Sequence, residues 1–207
     1  MRRFLMIAGA LAALRACAHM NTDANPDPSA AASLGTNTEI KAEADNLNHI
    51  TRISIDANRL YDQAADEADD KDLQASLRSI SAERKLFAQK LQQRVAALGA
   101  NPAETGQASG AVYRSFAALR GLIENDSVAA AGEVYRGESY LIDEMNKALQ
   151  TPLTAVSRDM LTAEIAKVKA GRSKVEQLKT ALETRLMNEA AREDATAQPK
   201  PTPANPG

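Results

Sequence analysis

An all-α four-helix bundle with a long crossover is the fold class that this sequence predicts. Three observations carry it. Apolar residues recur at steps of three and four along four long segments, the spacing of a single helix face. No segment alternates apolar and polar residues with the period of two that a strand needs. Ala, Leu, Glu, Lys and Arg dominate the composition, and within the body prolines stand only at Pro102 and Pro152, where they should mark helix boundaries.

The first helix is expected over 40–68, where Ile50, Ile53, Ala57, Leu60, Ala64 and Ala68 form one stripe. The second spans 72–98 and carries Leu73, Leu77, Ile80, Phe87, Leu91, Val95 and Leu98. A Gly- and Pro-rich connection from Gly99 to Gly110 follows, then a short helix over 110–124 with Val112, Phe116, Leu119 and Ile123. Together these pieces are long enough to cross the bundle rather than turn tightly. Asn125-Asp126-Ser127 offers an N-cap for a third helix over 127–150, striped by Ala131, Val134, Tyr135, Leu141, Ile142, Met145 and Leu149. After Pro152 the last helix runs over 156–188 with Met160, Leu161, Ile165, Val168, Val175, Leu178, Leu182 and Leu186. Four amphipathic helices of this kind can bury their stripes only against one another.

The ends read differently. Arg2 and Arg3 precede an apolar run from Phe4 to Leu14, followed by small residues and the single cysteine, Cys17. That is the layout of a secretory signal peptide over 1–16, and the run is too short to span a bilayer as a helix. Leu14-Arg15-Ala16-Cys17 resembles a bacterial lipobox, which implies a lipid on Cys17 and a membrane as partner. Arg15 departs from that pattern, and ordinary cleavage after Ala16-Cys17-Ala18 is the alternative, leaving a soluble periplasmic protein. Ala18 favours the periplasmic face of the outer membrane, by resemblance to sorted lipoproteins. Residues 17–38 read as a flexible tether and 189–207 as a disordered Pro-rich tail. The folded body is 39–188.

Composition excludes several classes. With 25 basic and 27 acidic residues the chain has no basic footprint for nucleic acid. A lone cysteine permits no internal disulfide. No glycine-rich phosphate loop appears, and neither histidine lies deep enough in the body for nucleophilic catalysis. His49 reads as a surface or capping residue. Asp62, Asp66, Glu67, Asp69, Asp70 and Asp72 read as caps and a solvated acidic end around the first turn, because they lack the spacing of a calcium loop. Tyr113, Tyr135 and Tyr140 read as packing residues.

From Leu47 to about Leu182 the chain resembles a bacterial ferritin-like domain of unknown function, a stress-induced four-helix-bundle family. The resemblance rests on Leu47-Asn48, Tyr61 with Ala64-Ala65, Glu83-Arg84, Leu98-Gly99 with Pro102, Gly106 and Gly110, Arg136-Gly137-Glu138, and Val168 to Leu178. It implies a ferritin-like bundle and no established activity. Di-iron bundles draw a Glu from each of two helices and Glu-x-x-His from each of the other two. No Glu-x-x-His occurs here. At the positions where the resemblance would place ligands stand Asn58, Glu83, Leu86, Glu138, Lys169 and Arg172. The expectation is therefore a vacated metal site without cofactor, with Arg172 bridging Glu138 and Glu83 across the core. A non-catalytic envelope lipoprotein that binds or scaffolds an unknown protein partner is the leading reading. A carboxylate-metal oxidase or store, and a self-assembling homo-oligomer, are the alternatives.

Overall fold

The apolar stripes become four helices in the computed structural model, which describes residues 36–107 and 126–197. They are α1 (Asn37–Glu67), α2 (Lys71–Ala97), α3 (Asp126–Leu149) and α4 (Ala155–Ala197). Thr36 starts α1 with a capping box: its hydroxyl accepts from the Glu39 amide, and the Glu39 carboxylate accepts from the Thr36 amide at 2.7 Å. Asp70 caps α2 by accepting from the amides of Asp72 and Leu73. The signal segment, Cys17, the tether up to Gly35, the short helix expected over 110–124, Tyr113 and the Pro-rich tail over 198–207 lie outside the described residues.

Two sets of hydrogen bonds set the topology. At one end the amides of Asp69 and Asp70, in the α1–α2 turn, donate to Ser127 Oγ at the start of α3. At the other end the Thr154 amide, at the start of α4, donates to Glu43 near the start of α1 at 2.9 Å. Thus α3 runs antiparallel to α1, and α4 runs parallel to it, an up-down-down-up order. The chain must then travel the length of the bundle between α2 and α3, and the 27 residues of α2 make that about 40 Å. This is the long crossover expected from the sequence. Its first part is pinned to α1: Asn48 accepts from the Ala103 amide at 2.7 Å and donates to the Asn101 carbonyl at 2.9 Å. Asp56 accepts from the Gln107 amide at 2.8 Å.

The core falls into two apolar clusters. One, nearer the α1–α2 turn, holds Leu60, Tyr61, Leu73, Leu77, Ile80, Val134, Val175 and Leu182. The other holds Leu47, Ile50, Phe87, Leu91, Leu141, Met145, Leu161 and Val168. On α2, α3 and α4 the gap between the clusters is bounded by Ile80 and Phe87, by Val134 and Leu141, and by Val168 and Val175.

Two boundaries and one packing assignment differ from expectation. α4 does not stop at 188 but continues to Ala197, so the expected tail begins as helix. Residues 189–197 are Glu-Ala-Ala-Arg-Glu-Asp-Ala-Thr-Ala, mostly good helix formers, with no proline before Pro199. α1 starts two residues before the expected body, at Asn37. Tyr140 is exposed rather than packed.

Candidate functional site

The gap between the apolar clusters is filled by charge. Arg84 extends the α2 stripe Leu73, Leu77, Ile80 in steps of four, three and four, and the stripe goes on to Phe87 and Leu91. That phase points its long side chain into the core, where it is completely buried. Its three nitrogens meet three carboxylates on three helices. Nε lies 3.2 Å from Glu138 Oε1 on α3, Nη1 lies 3.4 Å from Glu164 Oε1 on α4, and Nη2 lies 3.3 Å from its neighbour Glu83. Glu138 is fully buried and Glu164 nearly so, whereas the Glu83 side chain is 45% exposed. The second Glu164 oxygen accepts from Lys167 at 3.0 Å.

Two glycines make the layer sterically possible. Gly137, inside α3, leaves room for the buried Tyr61 of α1: a Cβ there would stand 2.6 Å from Tyr61 Oη. Gly171, inside α4, does the same for Glu138, whose Oε2 would stand 3.1 Å from such a Cβ. The layer is crowded but incompletely bonded. Tyr61 Oη, Arg84 Nε and both Glu138 oxygens have no aligned hydrogen-bond partner in the protein. Arg84 and Glu138 attract each other at ion-pair distance without the directionality of a hydrogen bond.

Burial dominates the electrostatics. It pushes the Glu138 carboxyl up to about 7. Arg84 and the nearby Tyr61 hydroxyl oppose that rise, and the negative Glu83 and Glu164 add to it. Burial, followed by the charge of Glu138, raises the Tyr61 hydroxyl well above its ordinary value.

The residues singled out from the sequence are only partly gathered here. Glu138 and Glu83 join the layer. Asn58, half-buried, donates to the Ser81 hydroxyl at 2.6 Å and ties α1 to α2. Leu86 and Lys169 are exposed. The bridge by Arg172 is overturned. Arg172 sits at the edge of α4, 5.5 Å over the ring of Tyr135 and 3.4 Å from Ser139 Oγ. Arg84 makes the bridge instead. The reason is Gly171: with no side chain, it lets the α4 backbone face Glu138, and the helix phase then turns Arg172 aside. Sequence reasoning missed Arg84, Glu164 and Tyr61 as site residues. Arg84 lies four after Ile80 and three before Phe87, but Glu83 fits the same stripe at three and four, so spacing alone did not single Arg84 out.

His49 is neither a cap nor deeply buried. Its Nε2 faces Glu144 at 2.9 Å and its Nδ1 faces Gln107 Nε2 at 2.7 Å, so it joins α1, α3 and the crossover. The acidic end behaves as expected where it is partnered: Asp66 pairs with Arg78, and Asp70 pairs with Arg185 as well as capping α2.

Comparison with known proteins places this geometry. The family model described as Domain of unknown function (DUF2383) matches residues 42–151, more than half of the chain. The chain belongs to that family. No curated protein matches it by sequence. Among solved structures it is similar to a Mycobacterium smegmatis Dps1 mutant at 15% identity, with a TM-score of 0.58 over 70% of this chain and 99% of that one. It is also similar to a dodecameric thioferritin, the bacterioferritin-related protein of Bacteroides fragilis, at 14% identity and a TM-score of 0.54 over 77% and 92% of the two chains. A third likeness is to a two-domain Anabaena variabilis protein with a DJ-1/ThiJ/PfpI-like and a ferritin-like domain, at 12% identity and a TM-score of 0.55 over 96% and 49%. These likenesses establish a ferritin-like four-helix bundle.

That fold raises the question of a di-iron pair, and this DUF2383 chain does not fit one. The layer offers no histidine, and α1 brings Tyr61 to it rather than a carboxylate. Its three glutamates are already directed at a buried guanidinium, whose charge disfavours a metal cation in the core among them. Among the described residues no group of three or more His, Cys, Asp and Glu side chains is arranged to hold a metal ion.

Proposed function

We propose that this protein is a lipid-anchored component of the cell envelope whose ferritin-like bundle binds or scaffolds a protein partner without catalysing a reaction. The observation that carries the non-catalytic reading is Arg84. A fully buried guanidinium lies among Glu83, Glu138 and Glu164, in the layer where bundles of this fold would gather metal ligands. Arginine suits such a place, because its planar fork serves several carboxylates at once and it cannot lose its proton. The core layer is then structural, and function passes to the surface. The signal-like segment before Cys17 supports export and anchoring. Among the described residues no helix is long and apolar enough to cross a membrane, so stable attachment would need the several acyl chains of a bacterial lipoprotein.

Native mass spectrometry of mature protein taken from membranes tests the whole reading. The expected result is a lipidated mature N-terminus at Cys17 and no stoichiometric metal. Membrane retention of a processed Cys17→Ser chain would overturn the anchor. Iron or manganese that is lost on Glu138→Ala would overturn the metal-free core and restore the oxidase or storage reading. The same spectrum reads the number of copies per assembly.

A further inference from the structure

The charges around Arg84 do not balance if every group is ionised. Glu83, Glu138 and Glu164 bring three negative charges; Arg84, with Lys167 on the far oxygen of Glu164, brings two positive ones. The surplus falls where it is least tolerable. Glu83 reaches water and Glu164 holds two cationic partners. Glu138 is fully buried, has one cation near it and has no aligned hydrogen bond on either oxygen.

We propose that Glu138 is a proton-binding site whose protonated form closes the seam between α2 and α4, so that the bundle is tightest in acid and loosens as the medium becomes alkaline. Every element packed against Glu138 contributes to this. α1 presents Tyr61, α2 presents Arg84 and Glu83, and α4 presents Glu164 and the bare backbone of Gly171. A proton on Glu138 brings the cluster to neutrality. Its loss leaves an uncompensated charge behind Gly171, and buried charge of that kind is strongly unfavourable.

A surface groove already runs along this seam. Between α2 and α4 lies a groove of about 380 Å³ lined by residues that include Ile80, Glu83, Lys167, Gly171 and Lys174. Ile80 and Gly171 both line this groove, and a Cβ on Gly171 would meet Glu138 Oε2 at 3.1 Å and Ile80 Cγ1 at 3.6 Å. The shortest route for water to an ionised Glu138 is therefore a small parting of α2 from α4 at Gly171. The direction agrees with the carboxyl's surroundings, since burial pushes it up to about 7 from its ordinary 4.5. The folded state then binds more protons than the unfolded one between those values, and stability falls as pH rises through that window.

The inference rests on the metal-free reading of the layer, and one sample separates the two. Metal analysis of the full-length protein comes first. Infrared difference spectra and hydrogen exchange are then recorded at about pH 5.5 and about pH 8.5, on either side of the expected titration. The expected results are a protonated-carboxyl carbonyl band that vanishes at the higher pH, and faster exchange there for amides of α2 and α4 facing Gly171. Glu138→Gln, a neutral mimic of the protonated acid, should abolish the band and show the slow exchange at both pH values. It should be at least about tenfold more stable in folding equilibrium than wild type at the higher pH. Absence of the band from metal-free wild type at the lower pH would overturn the proton site, whether or not Glu138→Gln folds. Stoichiometric metal would instead overturn the metal-free reading. Pairing of the band with unchanged exchange would overturn the opening of the seam.

Discussion

At Arg84 one side chain meets carboxylates on three helices. Breaking such a buried pair from one side costs more than removing both halves, since the orphaned charge stays in the core. Arg84→Leu is expected to destabilise the bundle by on the order of 3–5 kcal/mol, and Arg84→Leu with Glu138→Leu should recover a clear part of that loss. Denaturant titration of the four members of the cycle checks it; additive losses would contradict the pairing. Arg172→Leu, at the helix edge over Tyr135, should cost about 1 kcal/mol or less. Gly137 offers a second test at this scale. A helical Gly→Ala change ordinarily gains up to about 1 kcal/mol. Here the new Cβ meets Tyr61 Oη at 2.6 Å, so Gly137→Ala should instead lose roughly 1–3 kcal/mol through overpacking. Tyr61→Phe in the same chain should relieve part of that loss, read by thermal melts of the single and double variants.

Between elements, the end of the bundle remote from the α1–α2 turn is organised by one carboxylate. Glu43 of α1 accepts from Arg94 of α2 at 3.2 Å, from Ser157 Oγ at 2.5 Å and from Thr154 Oγ1 at 2.8 Å, besides the Thr154 amide. It therefore caps α4 from another helix, with its negative charge at the positive end of the α4 dipole. Burial alone would raise its carboxyl, but the bonds from Ser157, Thr154 and Arg94 outweigh burial and hold it below 4.5. The sign follows from that direction. A depressed carboxylate adds stability above its unfolded pKa, and the gain is lost as pH falls through the folded value. Glu43→Gln should weaken the protein at neutral pH by about 1–3 kcal/mol and flatten the acid limb of its stability curve. Chemical denaturation across the range below about pH 5 measures both effects. Glu43 and Glu138 thus give the molecule opposite responses: one loses stability in acid, the other in alkali.

Across the whole molecule the α4 helix outruns its partners. Leu182 is its last buried residue, and Arg185 reaches Asp70 in the α1–α2 turn at 3.0 Å. Residues 186–197 extend for about 18 Å more, exposed from Met187 to Thr196. A helix of that length draws little stability from itself, because short isolated helices are marginal in water. Ending the chain after Asn188 should therefore change its unfolding free energy by less than about 1 kcal/mol. Circular dichroism should show the loss of helix signal without a shift of the melting transition. A large fall in melting temperature, or a change in mass in solution, would instead assign the extension to an interface.

Periodicity made the four helices legible, because a stripe of Leu73, Leu77, Phe87 and Leu91 has no stable use except burial against another helix. Crossover length was legible for a similar reason: the chain between Leu98 and Asn125 is far longer than a turn requires. Residue types also showed that no Glu-x-x-His occurs. What only tertiary structure decided was which charged residues met. Glu83 and Arg84 both lie within a turn of Ile80 and Phe87, and local spacing admits either at the core. Arg84 wins because its long side chain reaches carboxylates on two other helices, which leaves the shorter Glu83 at the edge. On α4, Gly171 rather than Arg172 faces inward because an absent side chain on one helix creates the space that Glu138 fills from another. Such complementarity between faces is not written in any single helix; it exists only after four of them share one core.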